Sequence, residues 1–139
     1  MTYEYVLDVP VLRAILAGDL DLDATAARRN ARLIVARGVL EALVERTRLD
    51  QVGALERMAA RAQRHDVHDF VEHSPHLDVA VAAAVAWLRD AAHVADPILG
   101  LLVAVARTRD PAAWIATTEE RQVPINRAYP TQRLLGLQI

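Results

Sequence analysis

Four acidic residues stand where a carboxylate could take part in chemistry, at the end of a predicted strand or near the start of a predicted helix. They are Asp8, Glu41, Asp96 and Glu119. They lie far apart along the chain, but the carboxyl ends of parallel strands meet at one edge of a sheet, so we expect all four there. Clustered carboxylates repel one another unless a cation neutralises them. Because hard divalent cations prefer oxygen ligands, the four acids predict a site for Mg²⁺ or Mn²⁺.

A divalent ion held by carboxylates at the edge of a sheet has a defined chemical use. One or two such ions can activate water and stabilise an in-line attack on a phosphodiester bond. Mg²⁺ commonly takes few carboxylates from the protein and completes its coordination with phosphate oxygens and water. The pattern of acids therefore indicates phosphodiester hydrolysis as the reaction to consider first.

Short apolar segments are predicted to be the strands that position these acids. They cover Tyr5–Leu7, Leu33–Ala36, Val67–Val71, Trp114–Thr117 and Leu134–Leu137. Helices are predicted from Pro10 to a stop at Gly18, over 24–32, 37–47 and 52–64, from a cap at Asp78 to about Arg89, and from Asp96 to about 106. Strands that alternate with helices pair in parallel, with helices on both faces of the sheet. The predicted fold class is α/β, a three-layer α/β/α sandwich around a mostly parallel sheet of four or five strands.

Length and composition restrict the class of protein. A chain of 139 residues suits one domain, which we expect to span 1–139, and 53% hydrophobic with 24% charged residues is typical of a globular protein. The longest apolar runs, Val79–Leu88 and 98–106, are shorter than the about 20 residues that cross a bilayer, so no membrane partner is expected. Without a signal peptide or a cysteine, the sequence predicts a cytoplasmic protein with no thiolate chemistry.

In their order and spacing, the four acids resemble those of the PIN-domain ribonucleases, especially the VapC-like toxins of bacterial toxin–antitoxin pairs. The family opens with an apolar strand, an Asp and an apolar helix, and Tyr5–Leu12 resembles this. Its second acid is a Glu in the helix after strand two, similar to Val39–Leu43. Its third is an Asp that opens an apolar helix, as in Asp96–Leu101. Its fourth closes the pattern apolar, apolar, Thr, any residue, Asp, which Ile115–Glu119 resembles with Glu for Asp.

The resemblance implies a metal-dependent endoribonuclease that cleaves RNA phosphodiester bonds. The four acids would be both its catalytic residues and its Mg²⁺ or Mn²⁺ ligands. The resemblance also implies a homodimer and a cognate antitoxin protein that masks the site. Two residues depart from the family pattern. Pro10 stands where the family has a hydroxyl or amide residue that helps to hold the first Asp and the metal, and Glu119 is one methylene longer than Asp.

Two other functions fit parts of the sequence. A PIN-like binding module with lost or altered catalysis is supported by Pro10, and it predicts weak or absent Mn²⁺ binding. An unrelated helical interaction domain would use a His-rich segment, in which His65 and His68 could share a transition metal if the segment is helical. That domain predicts little strand and binding of Zn²⁺ or Ni²⁺.

Overall fold

The structure, a computed structural model, describes residues 3–18, 31–47, 53, 56, 57, 60 and 68–139. Its strands are β1 Tyr3–Leu7, β2 Ala31–Ala36, β3 His68–Val71, β4 Trp114–Thr118 and β5 Leu134–Leu137. Its helices are α1 Val9–Ala17, α2 Arg37–Thr47, α3 Pro75–Ala92, α4 Pro97–Thr108 and α5 Glu119–Ala128. The separate residues 53, 56, 57 and 60 are also helical.

The five strands form one parallel sheet in the order β3-β2-β1-β4-β5. Strand β1 lies at the centre, where Val6 pairs with Ile34 of β2 on one side and with Ile115 of β4 on the other. Because all strands run in the same direction, their carboxyl ends meet at one edge, termed here the carboxyl edge. The predicted α/β class and the parallel sheet are confirmed.

Helices cover both faces of this sheet. Val6 and Leu7 are adjacent in β1 and both are inaccessible to solvent, as are the consecutive residues 33–36 of β2. Successive side chains of a strand point to opposite faces, so both faces must be covered. Helix α1 packs against α2, whereas α3 packs against α4 and α5. The sheet is therefore the middle layer of a three-layer sandwich, as predicted.

Helices α3 and α4 are consecutive, apolar and closely packed. A Cβ atom at Gly100 would lie 3.3 Å from the carbonyl oxygen of Val81 and 3.2 Å from the backbone nitrogen of Val85, so the absence of a side chain allows the close approach. This packing fixes the start of α4, where Asp96 lies. No single helix among the described residues is long and apolar enough to span a membrane, and only α3 and α4 together, bent by 116°, meet those criteria.

Two predicted helix boundaries were wrong. Ser74, not Asp78, caps α3, because the Ser74 hydroxyl accepts a hydrogen bond from the Leu77 N–H at 3.1 Å and Pro75 begins the helix. Asp78 lies in the first turn instead. The helix predicted over 24–32 ends too late, since Ala31 and Arg32 belong to β2. The rest of that helix, and most of the one predicted over 52–64, lie outside the described residues.

Helix α5 was not predicted, although the sequence carries a signal for it. Thr118 caps it, and Glu119 and Glu120 lie in its first turn, which is a favourable place for acids. Pro124 lies inside the helix and interrupts the helical pattern.

The parallel sheet contradicts the alternative of a helical interaction domain, which predicts little strand. The metal site considered for that alternative involves His65 and the side chain of His68, and both lie outside the described part of the chain. The backbone of His68 itself begins β3 rather than continuing a helix.

Candidate functional site

Asp8 follows the central strand β1 directly, and its side chain is fully buried. It is the N-cap of α1, where its Oδ1 accepts a hydrogen bond from the backbone N–H of Val9 at 2.7 Å. Pro10 lies in the first turn of that helix, where a missing N–H leaves no intrahelical bond unmade. Asp8 thus connects the strand to the helix and places a carboxylate in the interior.

The second carboxylate oxygen of Asp8 accepts hydrogen bonds from two residues, one in β4 and one in α5. Its Oδ2 accepts a hydrogen bond from the hydroxyl of Thr117 in β4 at 2.6 Å and another from Nε of Arg121 in α5 at 2.6 Å. Thr117 is also fully buried. Burying a carboxylate is unfavourable unless a cation and hydrogen bonds compensate it, and Arg121 and Thr117 supply both.

Asp96 is held in a similar way at the start of α4. Its Oδ1 accepts hydrogen bonds from the backbone N–H groups of Ile98 at 2.9 Å and of Leu99 at 3.4 Å. The partial positive charge of a helix N-terminus stabilises a carboxylate at this position. Its Oδ2 accepts a hydrogen bond from Nη1 of Arg121 at 3.3 Å.

Arg121 therefore lies between two carboxylates, those of Asp8 and Asp96, termed here the acid pair. Its Nη2 also lies 3.3 Å from Oδ1 of Asp8, so each of the three guanidinium nitrogens reaches an acid. Burial lowers the pKa of Arg121, but the hydrogen bond to Asp8 and the charges of both acids outweigh this effect and raise it above its ordinary value. The guanidinium is thus a permanent cation.

Glu41 contacts other residues, on the β3 side of the carboxyl edge. Its side chain is exposed, with Oε1 lying 3.3 Å from Nε2 of His73 and 3.7 Å from Nε of Arg37. Arg37 also lies 3.4 Å from Oε2 of Glu72. Because Glu72 and His73 follow β3, the carboxylate of Glu41 is drawn toward an outer strand.

Glu119 is drawn toward the opposite outer strand. It is the first residue of α5 and is exposed. Its two carboxylate oxygens lie 3.3 and 3.4 Å from Nε2 of Gln138, which follows β5. The hydrogen bonds of Glu119 thus lie on the β5 side of the carboxyl edge.

Two solved structures share this arrangement of strands and helices. One is VapBC2 from Rickettsia felis bound to a DNA fragment from its promoter, with a TM-score of 0.65 and 11% identity over 97% of this chain and 99% of the matched chain. The other is VapBC-1 from nontypeable Haemophilus influenzae, with a TM-score of 0.63 and 9% identity over 96% and 97%. The chain has a VapC-like PIN fold. No family model matches the sequence, and no curated protein matches it significantly.

In this VapC-like PIN fold, the chemistry of the acid pair suits a hard cation. Oδ2 of Asp8 and Oδ2 of Asp96 both face one positive group, and carboxylate oxygens are the ligands that Mg²⁺ prefers. The cation that they hold in this structure is the guanidinium of Arg121. Within the described residues, no three His, Asp or Glu side chains are grouped so that they could hold a metal ion. Of the four predicted acids, Asp8 and Asp96 are the two that share one cationic partner in this structure.

Sequence reasoning missed three residues that contact the predicted acids. They are Arg121, Thr117 as a hydrogen-bond donor, and His73 as a partner of Glu41. The cap at Thr118 could have predicted α5, and so placed Arg121 in a first helical turn. Nothing in the sequence pairs Arg121 with Asp8, because 113 residues separate them.

Proposed function

We propose that this chain is a metal-dependent endoribonuclease that cleaves RNA phosphodiester bonds as the toxin of a bacterial toxin–antitoxin pair. The observation that carries the proposal is the acid pair. Asp8 and Asp96 come from separate elements of a VapC-like PIN fold and hold one cation between them at the carboxyl edge. Such a pair supports phosphodiester chemistry with a divalent ion, and the likeness of the fold supports the toxin class.

The chain's own residues orient the acid pair. Oδ1 of Asp8 is bound to the backbone of α1, and Oδ1 of Asp96 is bound to the backbone of α4. The hydroxyl of Thr117 fixes the second oxygen of Asp8. Bound Mg²⁺ or Mn²⁺ would supply positive charge that stabilises the transition state at phosphorus. We include Glu41 and Glu119 as further ligands, which would first have to leave their present partners.

We also propose RNA as the substrate, a cognate antitoxin as the protein partner, and a cytoplasmic homodimer as the assembly. The two similar chains described above come from VapBC structures, which supports a protein partner. The net charge of −2 excludes strong, purely electrostatic attraction to RNA, so local contacts near the acid pair would have to select the substrate.

Substitution of either member of the acid pair tests the proposal. We expect wild-type protein to cleave RNA with Mg²⁺ or Mn²⁺, and to lose this activity with a chelator. Asp8→Asn and Asp96→Asn should each lose more than about 100-fold, since even changing an outer partner of a metal ligand costs roughly 10–100-fold. The control is Asp90→Asn, an exposed acid on α3 paired with Arg89. Equal cleavage by purified wild-type and D8N or D96N protein, each shown to be folded by circular dichroism, contradicts the assignment.

A binding module without catalysis is the second candidate, and Arg121 favours it. Arg121 already neutralises much of the charge that would attract a metal ion, and Pro10 adds no side-chain oxygen beside Asp8. The wild-type protein separates the two candidates. A binding module cleaves no RNA and shows no rise in melting temperature with Mn²⁺, whereas an ion that binds only the native state raises it.

A further inference from the structure

The charge of the acid pair is partly neutralised by a residue of the same chain. Two carboxylates and the guanidinium of Arg121 leave a formal charge of −1 at the site. A divalent ion would change this to +1 if Arg121 stayed in place, and to zero if Arg121 left. Because the interior of a protein screens charge poorly, the arrangement without Arg121 is the favourable one for a bound ion.

We propose that Arg121 competes with a divalent ion for the acid pair, so that the ion binds only when the guanidinium has left the carboxylates. The inference rests on the proposed function for the choice of Mg²⁺ or Mn²⁺ as that ion. Arg121 is then a built-in counter-ion, which keeps the buried Asp8 paired in the absence of metal and lowers the apparent metal affinity.

The ion and Arg121 need the same oxygen atoms. Oδ1 of Asp8 and Oδ1 of Asp96 are each bound to backbone N–H groups of the helix that they cap. Oδ2 of Asp8 already accepts hydrogen bonds from Thr117 and from Nε of Arg121, both at 2.6 Å, so both of its lone pairs are used. Mg²⁺ must approach such an oxygen to about 2.1 Å, which requires one of the two donors to leave.

Of the two donors, Arg121 is the one that is able to leave. Thr117 is fully buried in β4, whereas the side chain of Arg121 is 24% exposed and is long and flexible. The backbone of Arg121 is held separately, because its N–H donates to the Thr118 hydroxyl at 3.3 Å. The guanidinium can therefore move toward solvent while α5 keeps its position.

The test compares Mn²⁺ binding by wild-type protein, Arg121→Gln and Arg127→Gln, measured by calorimetry and by the spectroscopic signal of free Mn²⁺. Gln keeps a polar side chain and removes the charge. We expect R121Q to bind Mn²⁺ at least about tenfold more tightly than wild type, as follows if the guanidinium occupies the acid pair in about 90% or more of the wild-type molecules. Arg127 is an exposed arginine in the last turn of the same helix, so R127Q should bind like wild type.

Unchanged or weaker Mn²⁺ binding by R121Q overturns the inference, and so does the absence of binding by all three proteins. If R121Q does not fold, Arg121→Lys replaces it. A lysine is a single point charge that cannot bridge both acids, so R121K should also bind Mn²⁺ more tightly than wild type. In wild-type protein, the NMR signal of the Arg121 Nε–H should move to its solvent-exposed position as Mg²⁺ binds. A signal that stays unchanged at saturation also contradicts the competition.

Cleavage of RNA by the same proteins separates this inference from the proposed function. Tighter Mn²⁺ binding by R121Q without cleavage, at saturating metal, supports the competition and refutes the nuclease. Cleavage by wild type together with equal Mn²⁺ affinities of wild type and R121Q supports the nuclease and refutes the competition.

Discussion

The buried carboxylate of Asp8 determines which neighbours the centre of the site must contain. A charge that is removed from water is stable only beside an opposite charge and with its oxygens hydrogen-bonded. Val9, Thr117 and Arg121 meet this requirement from three different elements. Because Asp8 is fully buried, water cannot easily replace a hydrogen-bond donor that its carboxylate loses.

Thr117→Val tests this requirement at one atom. The substitution keeps the shape of the side chain but removes the hydroxyl that donates to Oδ2 of Asp8 at 2.6 Å. We expect a loss of about 1.5–3 kcal/mol in the free energy of unfolding, the usual value for a hydrogen bond to a charged group. Urea denaturation measures it. Thr131→Val at an exposed threonine is the control, and equal losses in the two variants would mean that the hydroxyl does not stabilise Asp8.

Each member of the acid pair is oriented by the helix N-terminus that it caps. Asp8 caps α1 and Asp96 caps α4, and each binds the helix backbone through Oδ1 while its Oδ2 contacts Arg121. A cap residue has an extended backbone and a side chain directed back over the first turn, so its orientation is set locally. The helix start therefore sets the direction of each carboxylate through contacts within its own segment.

The cap of α3 allows the contribution of a helix cap to stability to be measured. Ser74→Ala removes the hydroxyl that accepts from the Leu77 N–H, and we expect it to lower the free energy of unfolding by about 1 kcal/mol. Asp78→Ala removes only an exposed acid of the first turn, and should lower it by about 0.3–1 kcal/mol at low salt and less at high salt. Chemical denaturation of both variants at high salt shows which of the two residues is the cap of α3. A larger loss in D78A under those conditions would restore Asp78 as the cap.

Across the whole molecule, helix α4 connects the acid pair to the opposite edge of the sheet. Asp96 precedes α4 at the carboxyl edge, and Arg109 follows it near the amino ends of the strands. Nη2 of Arg109 lies 2.6 Å from Oε2 of Glu4 in β1 and 3.0 Å from Oδ2 of Asp69 in β3. The hydrogen bond to Glu4 raises the pKa of Arg109 more than burial lowers it. This contact joins two strands that are not neighbours in the sheet.

Arg109→Met tests this connection. Methionine keeps an apolar side chain of similar length but removes both ion pairs. Because the three side chains are partly exposed, we expect a loss of about 1–2 kcal/mol in the free energy of unfolding rather than the larger cost of a fully buried pair. Arg89→Met is the control, since within the described part of the chain the Arg89 side chain pairs with the exposed Asp90, and its loss should stay within about 0.5 kcal/mol. Similar losses in both variants would mean that Arg109 does not join the strands.

The sequence determined the features that depend on near neighbours. The strand before Asp8, the helix stop at Gly18 and the Asp96–Pro97 helix start were all predicted, because apolar periodicity and capping involve residues within about four positions. The strand segments and their parallel pairing followed from the alternation of strands with helices. The Ser74 cap and helix α5 carried the same kind of local signal and were not recognised.

Only the tertiary structure decided which charges meet at the carboxyl edge. Local patterns place Asp8 and Glu119 at strand ends and Glu41 in the helix after the second strand, but they do not contain the strand order. That order puts Glu41 beside His73 after β3 and Glu119 beside Gln138 after β5, while Arg121 reaches Asp8 at the centre. The pairing of a buried acid with a cation 113 positions away depends on packing that joins distant segments, and no spacing along the chain encodes it.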